Sequence, residues 1–318
     1  MTKLFAFCSF LFLCFASAAQ NLVPNPSFEE HTGCPEGFPD LDGVCHDWMS
    51  FRLTPDYFHD CSEWCGYNTS RGFQLPHSGL AYAGINVFKP TLPNQGNEHI
   101  GVELQSPLVI GTEYFVSFFV SCGFTPLLVN IATNKIGALF TVNAYSDPTG
   151  ARQMPNDCQI YTDEIVADTI NWTLISGSFV ADSAYQYLVI GNFFEDPFLD
   201  TLNHPFSVLP QTAFYFLDDV CVSADSLCAH KQTNIEESKG RTYRIQVYPN
   251  PSSGKFIVLS IDRIVEVCIM DLSGRLILKS QVNEQQLELD LSTEAAGLYM
   301  AGFLLSNGNR EIIKVFKE

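Results

Sequence analysis

A short run of side chains in the first quarter of the chain has the chemistry of a sugar-binding surface. It reads Cys61-Ser62-Glu63-Trp64-Cys65-Gly66-Tyr67-Asn68, and Arg71 follows. Indole and phenol rings stack on the apolar face of a pyranose, whereas amide and guanidinium groups hydrogen-bond to its hydroxyls. We therefore predict that Trp64, Tyr67, Asn68 and Arg71 bind a carbohydrate. The alternative is that Trp64 only covers a disulfide.

Familiar catalytic motifs are absent from the sequence. It contains no Gly-x-Ser-x-Gly nucleophile turn, His-Glu-x-x-His zinc helix or Gly-x-x-x-x-Gly-Lys-Ser/Thr phosphate loop. The 7 histidines lie singly, without the spacing of metal ligands. The carboxylates of Asp56, Asp60 and Glu63 would serve a glycosidase only if two of them converged in space. The sequence therefore predicts a binding protein rather than an enzyme.

Acidic residues are concentrated in the first two thirds of the chain. Residues 20–229 contain 24 Asp and Glu against 5 Lys and Arg, whereas residues 230–318 contain 11 of each class. A strongly anionic domain repels phosphate backbones and anionic lipid, so we expect no nucleic-acid partner. Neutral ligands and divalent cations remain compatible with this charge. The simplest interpretation of it is a solubilising surface.

Eight cysteines fall in this acidic part of the chain. An even number of cysteines in an exported domain is typical of disulfides rather than metal ligands. The sequence leaves the connectivity open and favours only one pair, Cys221 with Cys228, because of their short separation. Cys268, farther on, is expected to be a buried free thiol. The eight are Cys34, Cys45, Cys61, Cys65, Cys122, Cys158, Cys221 and Cys228.

The chain begins with the three parts of a secretory signal peptide. Lys3 precedes a Phe- and Leu-rich run from Leu4 to Phe15, and small residues follow at 16–19. The run is too short to span a bilayer, and no later segment approaches the ~20 apolar residues of a transmembrane helix. We therefore predict a signal peptide at 1–19 and a mature protein without an integral membrane segment.

The elements that must position the candidate site are short β-strands. From Leu80 onward, apolar and β-branched runs alternate with turns rich in Gly, Pro and Asp, and no helical period extends beyond about three turns. Two prolines make the opening segment 21–29 an edge strand or a lead-in. Many short strands in about 200 residues predict a jelly-roll β-sandwich over residues 20–225. The expected strands lie at 80–87, 99–104, 114–120, 136–145, 172–180, 187–193 and 214–222.

The sequence changes character between residues 226 and 251. Residues 226–243 are polar and lack any period, which predicts a flexible linker. Pro249 and Pro251 lack amide hydrogens, so a strand arriving through Ile245 and Val247 must end there. The rest of the chain shows the two-residue alternation of side chains that is typical of β-strands. About seven short strands predict a small immunoglobulin-like β-sandwich over residues 244–318.

Five short motifs in this last part occur in a specific order. Together they resemble the C-terminal sorting domain of the type IX secretion system. The resemblance implies that residues 244–318 are handled by the type IX secretion machinery. It also implies that the protein reaches the cell surface or medium after signal-peptide export to the periplasm. The motifs are Tyr248-Pro249-Asn250-Pro251 with Gly254, Asp271-Leu272-Ser273-Gly274-Arg275, Leu289-Asp290-Leu291-Ser292, Gly297-Leu298-Tyr299 and Lys314-Val315-Phe316-Lys317.

The first part of the mature chain carries a second resemblance, to galactose-binding-like jelly-roll domains of exported bacterial proteins. In related carbohydrate-binding jelly-rolls, a Glu on the first strand and an Asp on the last hold a structural calcium ion. The matching positions here are Glu29, Asp218 and Asp219, so the resemblance implies a calcium site. It rests on the opening segment 21–29, Trp48, Thr54-Pro55-Asp56-Tyr57-Phe58, Ser78-Gly79, Ala81-Tyr82-Ala83-Gly84-Ile85, Ile190-Gly191-Asn192-Phe193 and Asp218-Asp219-Val220.

These observations predict an exported binding module that acts in glycan recognition or adhesion. The first alternative is a structural surface protein without a small ligand. A polysaccharide hydrolase is the second.

Overall fold

A computed structural model describes ten stretches of the chain, and they form two domains, each with its own apolar core. Within these stretches, no helix is long and apolar enough to cross a membrane. The signal peptide predicted at 1–19 lies outside them, as do residues 227–243 of the expected linker. The described residues are 21–38, 40–62, 65–92, 95–125, 128–150, 156–203, 211–226, 245–271, 275–306 and 310–318.

The first domain is a sandwich of two five-stranded antiparallel sheets. The first sheet has the order β1-β6-β12-β9-β10, and the second has the order β11-β7-β14-β5-β2. Two short pairs, β3 with β4 and β8 with β13, lie outside these sheets. The predicted all-β jelly-roll is confirmed. The strands are β1 (Trp48–Arg52), β2 (Asp56–His59), β3 (Asn68–Thr69), β4 (Gly72–Phe73), β5 (Ala81–Phe88), β6 (His99–Glu103), β7 (Glu113–Cys122), β8 (Ile131–Thr133), β9 (Ile136–Thr141), β10 (Ile160–Tyr161), β11 (Thr173–Val180), β12 (Tyr187–Asn192), β13 (Thr201–Asn203) and β14 (Ala213–Ser223).

Helical structure is minor in the described chain. A one-turn helix, α1 (Leu41–Val44), precedes β1, and a 3-10 turn occupies Asp196–Phe198. Residues 21–29 form no strand, so the opening segment is a lead-in. It lies beside the last strand of the domain, because the amide of Leu22 donates to the carbonyl of Val222 at 2.8 Å. The first and last segments of the domain therefore lie together.

The main core lies between the two sheets and follows the two-residue period of the strands. On β14, Tyr215 and Leu217 face this core, whereas Phe214 and Phe216 face the other way. These two phenylalanines are nonetheless fully buried, in a second apolar cluster with Phe58, Cys65, Tyr82 and Val129. The outer face of the second sheet is therefore covered by chain around β2, β5 and β14.

The cysteines pair less than their number predicts. Cys34 and Cys61 form a disulfide, and Cys221 is disulfide-bonded as well, while its expected partner Cys228 lies outside the described residues. Cys45, Cys65, Cys122 and Cys158 are free thiols. The prediction of disulfides is therefore confirmed for Cys34 and Cys61, whereas four of the eight cysteines are free. Three of the free thiols are fully buried in apolar surroundings, where cysteine packs as a small hydrophobic residue.

The C-terminal domain contains five strands in its described part, where about seven short ones were expected. The difference arises because two strands, β16 and β17, are long and pair with each other along most of their length. The other edge of β16 pairs first with β15 and then, beyond an irregular stretch at Leu259–Ile264, with β18. Cys268 is a half-buried free thiol on β16. The strands are β15 (Ile245–Tyr248), β16 (Lys255–Asp271), β17 (Leu276–Asp290), β18 (Gly297–Leu305) and β19 (Arg310–Lys317).

Candidate functional site

The segment predicted to bind sugar lies over the outer face of the second sheet. Asn68 begins β3, and the short hairpin of β3 and β4 positions the residues around it. The amide of Gln74 donates to the carbonyl of Tyr67 at 3.0 Å and closes this hairpin. Trp64 lies outside the described residues. The role of all four residues in binding stays a prediction.

Tyr67 belongs to a row of rings at the edge of this covering segment, which we call the aromatic row: Tyr67, Tyr82, Trp172 and His77. The ring centroids of Tyr67 and Tyr82 are 5.9 Å apart, those of Tyr82 and Trp172 6.0 Å, and those of Trp172 and His77 6.1 Å. Tyr82 is fully buried, whereas the other three are partly exposed. The row thus offers three partly accessible aromatic surfaces around a buried ring.

Hydrogen bonds to main-chain carbonyls hold the row in place. Trp172 Nε1 donates to the carbonyl of Leu75 at 2.9 Å, and the hydroxyl of Tyr67 donates to that of Leu80 at 3.0 Å. The hydroxyl of Tyr82 donates to the carbonyl of Gln74 at 2.8 Å. Each polar end of a ring is therefore satisfied, and the ring faces are preorganised.

Three members of the row, Trp172, His77 and Tyr82, were not among the predicted sugar contacts, and Trp172 is the most informative of them. Trp48 and Trp172 both adjoin predicted strands, which favours a core position for each; this is right for Trp48, only 3% exposed. Trp172 is half-buried beside the outer cluster and next to exposed Leu75. It directly precedes the edge strand β11. No local pattern around Trp172 distinguishes an inward from an outward position.

Arg71, the fourth predicted sugar contact, neutralises a buried carboxylate. Its Nε lies 2.8 Å from Oδ2 of Asp56, and its guanidinium lies 4.9 Å from the ring centroid of Phe214. The side chain of Arg71 is one quarter exposed, whereas that of Asp56 is 2% exposed. Burial raises the pKa of Asp56 to about 6, against the opposing effect of Arg71. Arg71 therefore has a structural partner before any ligand is considered.

Glu98 is a second buried carboxyl in this electrostatic environment. Burial raises its pKa to about 8, the charge of Asp56 adds to the effect, and the hydrogen bond from the amide of Asn86 at 2.7 Å opposes it. The carboxylates that the sequence suggested beside Asp56 were Asp60, which is exposed, and Glu63, which lies outside the described residues. In the structure, the carboxyl that interacts electrostatically with Asp56 is instead Glu98, from a distant segment.

The three predicted calcium ligands lie around a single loop, residues 77–81. Glu29 Oε1 accepts hydrogen bonds from the amides of Leu80 and Ala81 at 2.8 and 2.9 Å. Asp218 Oδ2 accepts from the amides of His77 and Ser78 at 2.8 and 3.1 Å.

Asp219 completes the contacts of this loop. Its Oδ1 accepts from the hydroxyl of Ser78 at 2.7 Å, and its Oδ2 pairs with Nδ1 of His77. The structure therefore brings all three carboxylates to one loop.

The hydrogen bonds of these carboxylates fit the role of loop anchors better than that of calcium ligands. Asp218 is fully buried, and burial raises its pKa well above the usual range, with Asp219 adding to the effect and the three main-chain donors opposing it. Asp218 Oδ1 also accepts from the amide of Asp219 at 2.7 Å. Among the described residues, no three His, Cys, Asp or Glu side chains are arranged to hold a metal ion. Glu29 and Asp218 already accept hydrogen bonds from main-chain amides, and calcium binding stays a prediction.

A groove of about 470 Å³ lies apart from the aromatic row, between residues 161–168 and β11. Its wall carries Asp163, which pairs with Lys135. The same lysine lies 4.7 Å from the ring centroid of Tyr161. Because this aromatic face is already used, the groove provides less stacking surface than the aromatic row.

Comparison with known families identifies the C-terminal domain. Residues 246–317 match the family described as the secretion system C-terminal sorting domain. These residues are a type IX secretion sorting domain. The sorting domain indicates export and a location at the cell surface or in the medium. Among proteins with curated descriptions, none is significantly similar to the chain.

Several solved structures share a limited likeness with the chain. A xylan-binding domain of the CBM22-1 type from Paenibacillus barcinonensis is 14% identical, with a TM-score of 0.34; the match covers 65% of this chain and 96% of that one. The Clostridium thermocellum xylanase 10B, a CBM22-1 and GH10 structure with xylohexaose, is 14% identical, with a TM-score of 0.32 over 57% of this chain.

The match to the Clostridium thermocellum xylanase spans only 26% of that enzyme's chain. The K3 adhesin domain of Lys-gingipain from Porphyromonas gingivalis is 10% identical, with a TM-score of 0.29 over 59% of this chain and 98% of that one. Likeness at this level carries no functional argument.

Proposed function

We propose that the first domain is a glycan-binding module of an exported protein and that it acts in glycan recognition or adhesion. Under this proposal the type IX machinery engages residues 244–318 and delivers the module to the cell surface or the medium. The observation that carries the binding role is the aromatic row, whose ring faces are held next to polar groups.

The chemistry of the row suits a sugar. Each pyranose has an apolar face of C–H groups and a polar rim, so it needs ring surfaces and hydrogen-bonding groups side by side. Tyr67 and Trp172 supply the rings, Asp219 pairs with His77 of the row, and Arg71 follows Tyr67 by four residues in the chain. Because the rings are already held by hydrogen bonds, little side-chain entropy is lost when a ligand stacks on them.

The charge of the domain narrows the ligand class. An excess of 19 acidic residues over basic ones between residues 20 and 229 disfavours sulfated or uronic acid-rich polymers by long-range repulsion. We therefore expect a neutral glycan, with the hydroxyls of its sugar rings as the recognised groups.

A glycan array probed with the mature full-length protein tests this function. The wild type should bind a set of neutral glycans, and Trp172→Ala and Tyr67→Ala should each weaken binding about tenfold, since one stacking contact is worth on the order of 1 kcal/mol. Tyr161→Ala is the matched control, because Tyr161 is an exposed ring outside the row. Unchanged binding in both variants would remove the row from the site. Silence of the wild type on all glycans would favour a structural surface protein.

A further inference from the structure

One lysine of the sorting domain is bound by the first domain. Lys314 lies on β19, and its Nζ donates to the carbonyl of Thr169 and, at 3.4 Å, to Oε1 of Gln74. The same Nζ lies 5.4 Å from the ring centroid of Phe73. An ammonium group thus meets two oxygens and an aromatic face, all from the first domain.

The two oxygens are oriented before the lysine arrives. Gln74 is 3% exposed, and its Nε2 donates to the carbonyls of Leu75 and Ile170 at 3.1 and 3.5 Å. These bonds fix which end of the amide is the oxygen. Oε1 must therefore face the other way, toward Ser121, whose hydroxyl donates to it at 3.0 Å, and toward Lys314.

The turn that contains Thr169 is equally constrained. Asp168 Oδ1 accepts from the amides of Ile170 and Asn171, both at 2.8 Å, and Oδ2 accepts from Nδ2 of Asn171 at 2.9 Å. This side-chain turn holds the peptide that carries the Thr169 carbonyl. The nearby carboxylate of Asp168 also favours a cation at this position.

We propose that Phe73, Gln74 and Thr169 form a lysine-binding cup on the first domain and that Lys314 of the sorting domain is its ligand in the intact chain. The chemical class of the ligand is a primary ammonium on an aliphatic stem. Two carbonyl-type oxygens accept its N–H groups, and the ring face of Phe73 attracts the charge.

The surroundings of the cup support this assignment. Leu298 and Met300 of β18 and Phe124 of the first domain surround a space of only about 20 Å³ beside Lys314. Burial lowers the pKa of Lys314 to about 8, with Asp168 opposing the shift. The side chain of Lys314 is half-buried, and charged lysines are mostly exposed unless they are paired.

The cup has a consequence for the order of events in export. Lys314 begins the terminal motif Lys314-Val315-Phe316-Lys317, so docking holds part of that motif against the first domain. A receptor that binds this motif through Lys314 must first release it from the cup. This inference does not depend on glycan binding by the first domain.

Hydrogen exchange and small-angle X-ray scattering on the mature full-length chain test the cup. Lys314→Glu places a carboxylate against two acceptor oxygens and near Asp168. It should raise the exchange rates of the Gln74 and Ile170 amides by about tenfold or more and increase the radius of gyration. Lys279→Glu makes the same charge change on exposed β17, where the lysine pairs with Glu266, and should change neither quantity.

Phe73→Ala removes the aromatic face that the first domain contributes to the cup, and it should change both quantities in the same direction as Lys314→Glu. Protection of the β18 amides shows that the sorting domain is folded in each variant. If Lys314→Glu fails this check, Phe73→Ala decides the test. The proposal would be overturned if every variant that passes the check kept the amide exchange rates and the radius of gyration of the wild type. It would also be overturned if Lys279→Glu changed these quantities as much as Lys314→Glu.

Discussion

Replacing the buried acid Glu98 by glutamine should stabilise the first domain at neutral and alkaline pH. Glu98 is 5% exposed and has its pKa raised from 4.5 to about 8, chiefly by burial. A raised pKa means that the folded state binds the proton more tightly than the unfolded state. The resulting stability is complete below pH 4.5 and is lost as the pH rises to about 8.

The size of the effect follows from the two pKa values. Their difference corresponds to ~5 kcal/mol of proton-linked stability for an isolated group. Asp56 titrates in the same cluster and shares part of this energy. The glutamine side chain would mimic the protonated acid, because its carbonyl oxygen can still accept the hydrogen bond from the amide of Asn86. We expect Glu98→Gln to exceed the wild type by at least about 2 kcal/mol at pH 8 and to equal it within about 0.5 kcal/mol at pH 5.

Urea unfolding at pH 5, 6.5 and 8, followed by tryptophan fluorescence, measures this difference. All 3 tryptophans lie in the first domain, so the signal does not report on the sorting domain. Glu103→Gln is the matched control, because Glu103 ends the neighbouring strand β6 but is exposed. A Glu98→Gln variant that is no more stable than the wild type at pH 8, or an equal gain in Glu103→Gln, would refute the reasoning.

Three further perturbations probe the loop 77–81 and the sorting domain. Gly79→Ala should cost about 2 to 3 kcal/mol in thermal unfolding, because Gly79 has φ +60 and a Cβ would lie 2.1 Å from Oε1 of Glu29. Gly111→Ala, with φ +85 and open space, should cost only about 1 kcal/mol, and equal losses would contradict the steric argument. If calcium binds as the sequence predicts, a chelator should lower the unfolding midpoint of the wild type but not that of Asp218→Asn. The free energy of unfolding lost on chelation should be about 2.7 kcal/mol for an ion at a hundredfold excess over its Kd. An unchanged midpoint in the wild type means that the carboxylates only anchor the loop. Deletion from Tyr248 onward should leave a folded first domain in the periplasm, as measured by fractionation, and normal export of that truncation is the contrary result.

Local sequence patterns predict much of the architecture. The strands β5, β7, β12 and β14 lie where alternation and apolar runs predict them, and β15 ends where the prolines require it. These features depend on side-chain period and turn chemistry within a few residues of each position. The sorting domain could be recognised for a related reason, because its motifs are short, ordered and contiguous.

The candidate site was only partly accessible to such reasoning. Tyr67 and Arg71 were found because they follow one another in a polar, aromatic segment. Trp172 and His77 complete the aromatic row from segments outside that run, and Glu98 reaches the Asp56 cluster in the same way. Strand pairing decides such neighbours, and the sequence period does not encode which strands pair.

The sequence by itself determined an acidic, all-β, two-domain chain with a sorting domain at its C-terminus, since composition, period and contiguous motifs are local properties. Tertiary structure alone decided which cysteines pair, which carboxyls are buried and where Lys314 binds. The physical reason is that disulfides, desolvation and charge coupling depend on distance in space. Residues separated by tens or hundreds of positions, such as Gln74 and Lys314, become neighbours only when the chain has folded.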